Sequence, residues 1–360
     1  MRHRIIRLLL ALSGIVASAE AAGLKSDEQV VLFPTLGWQV RDGWELEIHG
    51  VVFEPERRRL LTSVLRKALG IDDDKLSAAE MAIWRERSQF FLVDNERGKE
   101  ISLRLGDQIH RLATSQANGH FQGRIQLAGN RSSSIPELTN GILRFEIASN
   151  AKATRPFTGA VHLLAATGLS VISDIDDTIK VSQVRDRQEM LQNTFVRPFQ
   201  PVPGMANLYH RWSDQGAQFH YVSASPWQLY VPLAEFVRSN GFPAGTFHLK
   251  NFRMKDETFF DLFKSPERYK PAVIGPLLAR FPQRRFVLVG DSGEKDPEIY
   301  ARLARQYPRQ VVRILVRDVT GQASASPRYR QTFKGLPGEL WRIFKEPSEI
   351  ETALPAGGKN

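Results

Sequence analysis

The chain has 360 residues, 42% of them hydrophobic and 24% charged, enough for two domains with cores of their own. It contains no cysteine, which excludes disulfides, thiolate metal sites, cysteine nucleophiles and a lipid-modified N-terminal cysteine. A formal charge of +10 favours anionic partners such as phosphate, nucleic acid or lipid headgroups, without distinguishing among them.

Residues 1–21 open with Arg2, Arg4 and Arg7, run through the apolar stretch from Leu8 to Ala19, and end in Ala17-Ser18-Ala19 and Ala19-Glu20-Ala21. That is the pattern of a cleaved secretory signal peptide; about 12 apolar residues fall short of the roughly 20 that span a bilayer. Export of a chain without cysteine leads to an expected location in a bacterial periplasm or outside the cell.

From 24 to 166 the apolar residues alternate, as in Trp44-Glu45-Leu46-Glu47-Ile48 and Ile142-Leu143-Arg144-Phe145-Glu146-Ile147, which predicts half-buried strands and a mostly β, sandwich-like domain. Asn118-Gly119 reads as a hairpin turn. A helical pair over about 56–90 interrupts the strands: Leu60, Leu61, Val64, Leu65, Ala68 and Leu69 recur at helical spacing, and Ser77-Ala78-Ala79-Glu80 is a capping box.

From 168 to 350 the pattern changes to short, continuously apolar strands separated by helices, the signature of an α/β domain with a parallel sheet covered on both faces. Strands are expected at Leu169–Ser173, Phe219–Val222, Phe286–Val289 and Val311–Val316. Helices are expected at Met190–Phe195, Met205–Ser213, Leu229–Ser239, Pro271–Arg280 and Glu298–Tyr307. Residues 351–360 read as a flexible tail. In such a sheet the ligand sits beyond the carboxyl ends of the strands, where the polar clusters converge.

Two of those clusters are acidic. Ser173-Asp174-Ile175-Asp176-Asp177-Thr178 places three carboxylates straight after a buried strand, and Gly290-Asp291-Ser292-Gly293-Glu294-Lys295-Asp296 repeats the arrangement after another. Extended geometry puts Asp174 and Asp176 on one side, where one pKa should rise unless a cation binds, and Mg²⁺ suits few carboxylates plus a substrate phosphate. A single cluster of this kind is as readily a helix cap or a turn. A calcium loop fails, because Ile179 stands where glycine is needed and Arg185 where a bidentate glutamate is needed. No Gly-x-Ser-x-Gly elbow supports Ser223 or Ser225 as a serine nucleophile, and no histidine spacing indicates zinc. Scattered basic residues and the export signal argue against a nucleic-acid partner.

Asp174-x-Asp176-x-Thr178, Ser223 after a strand, a downstream lysine and Gly290-Asp291 with Asp296 resemble the four motifs of haloacid-dehalogenase-like phosphatases, which have a Rossmann-type fold. The strings Ser173–Lys180, His220–Gln228 and Gly290–Glu298 are more narrowly similar to the catalytic domain of the actin-patch-type phosphatidate phosphatases, over about 168–317. At Ala224 the sequence departs from the eukaryotic pattern, which has asparagine there. The resemblance implies Asp174 as nucleophile through an aspartyl-phosphate, Asp176 as acid and base with a pKa near working pH, and Thr178 and Ser223 as loop and phosphate contacts. It further implies a phosphate-contacting lysine and Mg²⁺ held by Asp174, the Asp176 carbonyl and Asp291, with Asp296 either a ligand or directly behind the ligands.

Of Lys250, Lys255, Lys264 and Lys270, Lys270 fits the lysine position, because it opens the helix that leads to the Asp291 strand. The other three read as solvated, although Lys250, Arg253 and Lys255 together could attract an anionic membrane surface. Trp227 and Tyr230 read either as core or as an apolar substrate entrance, and His220 as a core histidine. The expected substrate is phosphatidate or a related lipid phosphate monoester. The alternatives are a phosphatase for soluble phosphate monoesters and a non-catalytic envelope-binding protein on a phosphatase scaffold.

Overall fold

The computed structural model describes residues 23–55, 59–71, 76–128, 138–148, 156–251 and 266–350. The signal peptide, the tail from 351, Arg253, Lys255 and Lys264 lie outside the described residues.

The alternating region gives strands β1 (Gln29–Phe33), β2 (Thr35–Val40), β3 (Gly43–Glu54), β4 (Asp94–Asn95), β5 (Glu100–Leu105), β6 (Gln108–Thr114), β7 (His120–Ala128), β8 (Leu138–Thr139), β9 (Ile142–Ile147) and β10 (Thr158–Leu164). They hydrogen-bond into one ten-stranded sheet, antiparallel except where β10 runs parallel to β2. Its inward residues, including Leu46, Ile48, Ile101, Phe121 and Val161, form a separate core, each contributing about 1.5–3 kcal/mol by burial. The Asn118-Gly119 turn forms with Gly119 at φ +76°. It does not make the expected hairpin, because only the glycine takes positive φ and β7 is laddered to β3.

Helices α1 (Arg59–Leu69) and α2 (Ala78–Ser88) fill the helical interruption. Ser77 and Glu80 cap α2 reciprocally, as the sequence spacing requires. The pair packs away from the β core: Leu65, Leu69 and Trp84 join the cluster that holds Leu191 and Phe195 of the following half. Arg87 fastens this contact. It is buried, donates to the carbonyls of Thr194 at 2.7 Å and Arg197 at 2.8 Å, and lies 3.5 Å from the centre of the Phe199 ring.

The second half alternates β11 (Leu169–Ser173), α3 (Arg187–Phe195), α4 (Met205–Asp214), β12 (Gln218–Pro226), α5 (Tyr230–Ser239), β13 (Gly245–Lys250), α6 (Pro266–Arg280), β14 (Arg285–Asp291), α7 (Asp296–Gln306), β15 (Val311–Arg317), α8 (Pro327–Thr332) and β16 (Trp341–Phe344). The six strands lie in the order β13-β12-β11-β14-β15-β16, every pair parallel. Successive residues serve opposite faces: Val171 and Val287 enter one core, Ile172 and Leu288 the other. This explains why the strands are apolar without interruption. The β13 edge is covered by the first sheet, with the Phe247 N–H donating to the Pro34 carbonyl at 3.3 Å. Among the described residues no helix is long and apolar enough to cross a membrane.

Candidate active site

The site forms where β11 and β14, neighbours at the centre of the parallel sheet, end side by side. Their register pairs Ser173 with Val289, and the Asp174 N–H extends the ladder to the Val289 carbonyl at 2.9 Å. Asp174 and Asp291 therefore emerge on adjacent tips, and α7 begins with Asp296 directly behind them. Gly290 permits this approach. A Cβ there would lie 2.2 Å from Asp296 Oδ2.

Beyond Asp174 the chain folds into a helical turn, with the N–H groups of Ile179 and Lys180 both donating to the Ile175 carbonyl at 3.0 Å. That turn brings residues four apart onto one another. The Thr178 hydroxyl donates to Asp174 Oδ2 at 3.0 Å, and Lys180 Nζ meets Asp176 Oδ1 at 2.8 Å. Asp177 takes a left-handed φ of +54° and turns away from the other two acids. Its carboxylate accepts the N–H groups of Ser182, Gln183 and Val184, each at 2.8 Å, so the third acid of the cluster clamps the loop.

Lys270 is wholly buried, and its Nζ contacts Asp174 at 2.9 Å, Glu294 at 3.0 Å and Asp296. Burial alone would lower its pKa, but those carboxylates outweigh it and hold the ammonium well above its ordinary value. One cation facing four acids is too few. Burial, together with the neighbouring carboxylates, pushes Asp174 and Asp291 well above the ordinary range, and Glu294 is raised for the same reasons.

Asp174, Asp291 and Asp296 each offer one carboxylate oxygen, and all three oxygens lie within 4.8 Å of one another. Asp291 Oδ1 accepts the Gly293 N–H at 2.6 Å, while the buried Oδ2 has no hydrogen-bond partner. An orphaned carboxylate oxygen inside an acidic, oxygen-only group fits a hard divalent cation.

Asp176 stands apart from this group. Burial would raise its pKa, yet the charge of Lys180 and hydrogen bonds from Lys180, Ser182 and Ser225 bring it down to about 2. The expectation of a raised Asp176 pKa is thereby corrected, because its neighbour is a lysine rather than another carboxylate. Ser223 and Ser225 both donate to Asp176 Oδ2 at 3.0 Å, so Ser223 faces the acid/base candidate.

The sequence-derived residues Asp174, Asp176, Thr178, Ser223, Lys270, Asp291 and Asp296 thus gather in one largely buried cluster at the strand ends, with the Asp176 carboxylate outside the three-oxygen group. Sequence reasoning missed Lys180, Ser182, Ser225 and Glu294 as contributors. The four-residue interval from Asp176 to Lys180 was the available signal for the lysine. His220 is a core residue, its ring nitrogens at 2.8 Å from Thr246 Oγ1 and 3.0 Å from Ser170 Oγ. A carboxylate beside a cation, an oxygen-lined ion site and a second carboxylate within reach of hydroxyls can together carry phosphoryl transfer.

Residues 169–318 match the family model described as phosphatidate phosphatase APP1, catalytic domain. Phosphatidate phosphatase APP1 of Saccharomyces cerevisiae is 36% identical over 197 residues, covering 54% of this chain and 33% of that protein. An uncharacterised protein of Schizosaccharomyces pombe is 29% identical over 175 residues, covering 48% of this chain and 28% of that protein. The chain thus spans about a third or less of the length of these curated relatives. Among solved structures, D,D-heptose 1,7-bisphosphate phosphatase from Burkholderia thailandensis covers 50% of this chain and 94% of that chain, at 14% identity and a TM-score of 0.26.

Proposed function

We propose, from the premise that residues 169–318 belong to the family of the phosphatidate phosphatase APP1 catalytic domain, that this protein is a divalent-cation-dependent phosphomonoesterase acting on phosphatidate or a related lipid phosphate. The observation that carries the reading is the buried meeting of Asp174, Lys270, Asp291 and Asp296 at two neighbouring strand tips. The parallel sheet order and these tips support a haloacid-dehalogenase-like fold for the second half, which follows the ten-stranded β region.

In this reading a carboxylate oxygen of Asp174 attacks phosphorus in line, forming an aspartyl-phosphate while the ester oxygen departs as diacylglycerol. Asp176 gives that oxygen its proton. The proton arrives with the substrate, whose second phosphate pKa is about 6 and whose negative charge offsets the pull of Lys180. Ser223 and Ser225 turn their hydroxyls from Asp176 to the phosphoryl oxygens. Water then attacks phosphorus, Asp176 takes its proton, and inorganic phosphate leaves with Asp174 restored as carboxylate. Lys270 holds the nucleophile in place and offsets charge throughout. Mg²⁺ held by Asp174, Asp291 and Asp296 would supply further positive charge at the phosphoryl group. An exported location belongs to the same reading and rests on the arginine-led apolar segment at 1–21.

The test is a panel of lipid and soluble phosphate monoesters given to the purified protein and to Asp174→Asn. Turnover that is greatest on lipid phosphates and falls at least about a thousandfold in the variant is expected. Equal turnover by both proteins would remove Asp174 as nucleophile, and a preference for soluble esters would remove the lipid assignment.

A further inference from the structure

Where the two halves meet lies a cavity of about 530 Å³, within the range of roughly 300–1,000 Å³ typical of small-molecule sites. One wall is a single face of α6, from Tyr269 through Val273 and Leu277 to Arg280. The eleven helical rises from Tyr269 to Arg280 make this wall about 16 Å long. The corner from Phe33 to Leu36 between β1 and β2, and β13 from Phe247 to Lys250, also line the cavity.

One end of this slot is lined by chain neighbours of the reacting groups. Tyr269 directly precedes Lys270. Trp227 follows the β12 segment whose Ser223 and Ser225 hold Asp176, and Lys250 is register-paired with Pro226 at the same sheet edge. The Arg280 end of α6 carries the Arg280–Glu47 pair at 2.9 Å, with the guanidinium 4.0 Å from the centre of the Trp38 ring. Those two charges cancel each other. The imidazoles of His49 and His248 also face the slot, and burial lowers their pKa values to about 3 and about 4, so they add no charge near neutrality. The interior is long and mainly apolar, and Lys250 lines it at the Trp227 end.

We infer that this slot between α6, β13 and the β1–β2 corner binds the hydrocarbon chain of a lipid phosphate monoester, with the ester end at Trp227 and Lys250. The inference rests on the phosphatase reading for its headgroup. It adds a task for the β-rich half, which supplies one wall of the chain site. Specificity for a chain then requires both halves of the protein.

The experiment measures binding of hexyl, octyl and decyl phosphate, each below its micelle-forming concentration, to the full chain carrying Asp174→Asn so that no ester is consumed. Affinity is expected to rise about fourfold per added methylene while the slot fills. Val273→Trp and, separately, Pro276→Trp, at another α6 residue that lines the slot, should abolish that dependence. In the otherwise wild-type chain the same substitutions should leave hydrolysis of p-nitrophenyl phosphate within about twofold, which also shows that the variants fold. Affinity independent of chain length, or a dependence that survives both filled-slot variants, overturns the chain site, as does a dependence seen only with micelles or vesicles. If the wild-type protein hydrolyses no phosphate monoester, the phosphatase reading fails by itself, and the binding series still decides the chain site.

Discussion

Replacing Lys180 by methionine isolates the interaction that sets the charge on Asp176. The lysine is buried, pairs with Asp176 Oδ1 at 2.8 Å and lies 4.8 Å from the centre of the Phe199 ring. Asp176 titrates at about 2 in the fold against an ordinary 3.8. A depression of just under two units is worth about 2.5 kcal/mol. Breaking a buried pair by removing one partner costs about 3–5 kcal/mol, and the hydroxyls of Ser182, Ser223 and Ser225 remain on the carboxylate, so the low end applies, about 3 kcal/mol. The sign follows from the depressed pKa. The contribution is fully present above pH 4, about half gone by pH 3, and lost as pH falls through 2. Thermal melts at pH 7 should therefore show Lys180→Met falling by roughly 6–12 °C, with the gap to wild type narrowing at pH 3. Adding Asp176→Asn to Lys180→Met should recover much of the loss, because no unpaired charge is left behind. A melting point unchanged at pH 7, or a gap that does not narrow in acid, would refute the assignment.

The buried imidazoles of His120, His162 and His248, each brought to about 4 chiefly by burial, make a second prediction. Each stays neutral in the fold while its unfolded counterpart takes a proton near 6.5, so stability is complete above that pH and falls steadily down to about 4. His162→Gln should reduce the stability slope in that window by about one proton, as read from urea unfolding at several pH values; an unchanged slope would count against a neutral buried ring. Gly290→Ala should drive Asp296 aside and cost about 1–3 kcal/mol by overpacking, with a greater loss in the melting shift produced by Mg²⁺. Retention of the full Mg²⁺ shift would show that Asp296 is not needed there.

The parallel strands were legible because both of their faces are buried, which leaves continuous apolar runs such as Leu169–Ser173, reproduced residue for residue. Gly245–Lys250 and Trp341–Phe344 were not recognised as strands, since both lie at sheet edges and carry mixed residues such as His248, Lys250 and Arg342. Asp174 and Asp291 could be singled out because acids placed straight after apolar strands need partners, and Lys270 because it stands at the lysine position that the family resemblance implies. The partner of Asp176 could not be read from strand geometry. An extended chain puts Asp176 beside Asp174, whereas the helical turn after Ile175 rotates it onto Lys180. Packing of α1 and α2 into the core that also holds α3 was equally hidden, because periodicity shows that a helix has an apolar face and not which core receives it.

The most direct measurement is a calorimetric titration of Mg²⁺ into the purified protein, repeated with Asp291→Asn. One ion per chain, with affinity reduced at least about tenfold in the variant, is the predicted result, since the variant removes the charge and the orphaned oxygen that draw the ion in. Absence of binding to the wild-type protein, or equal affinity in the variant, would contradict the claim that the two acidic strand tips form one cation site.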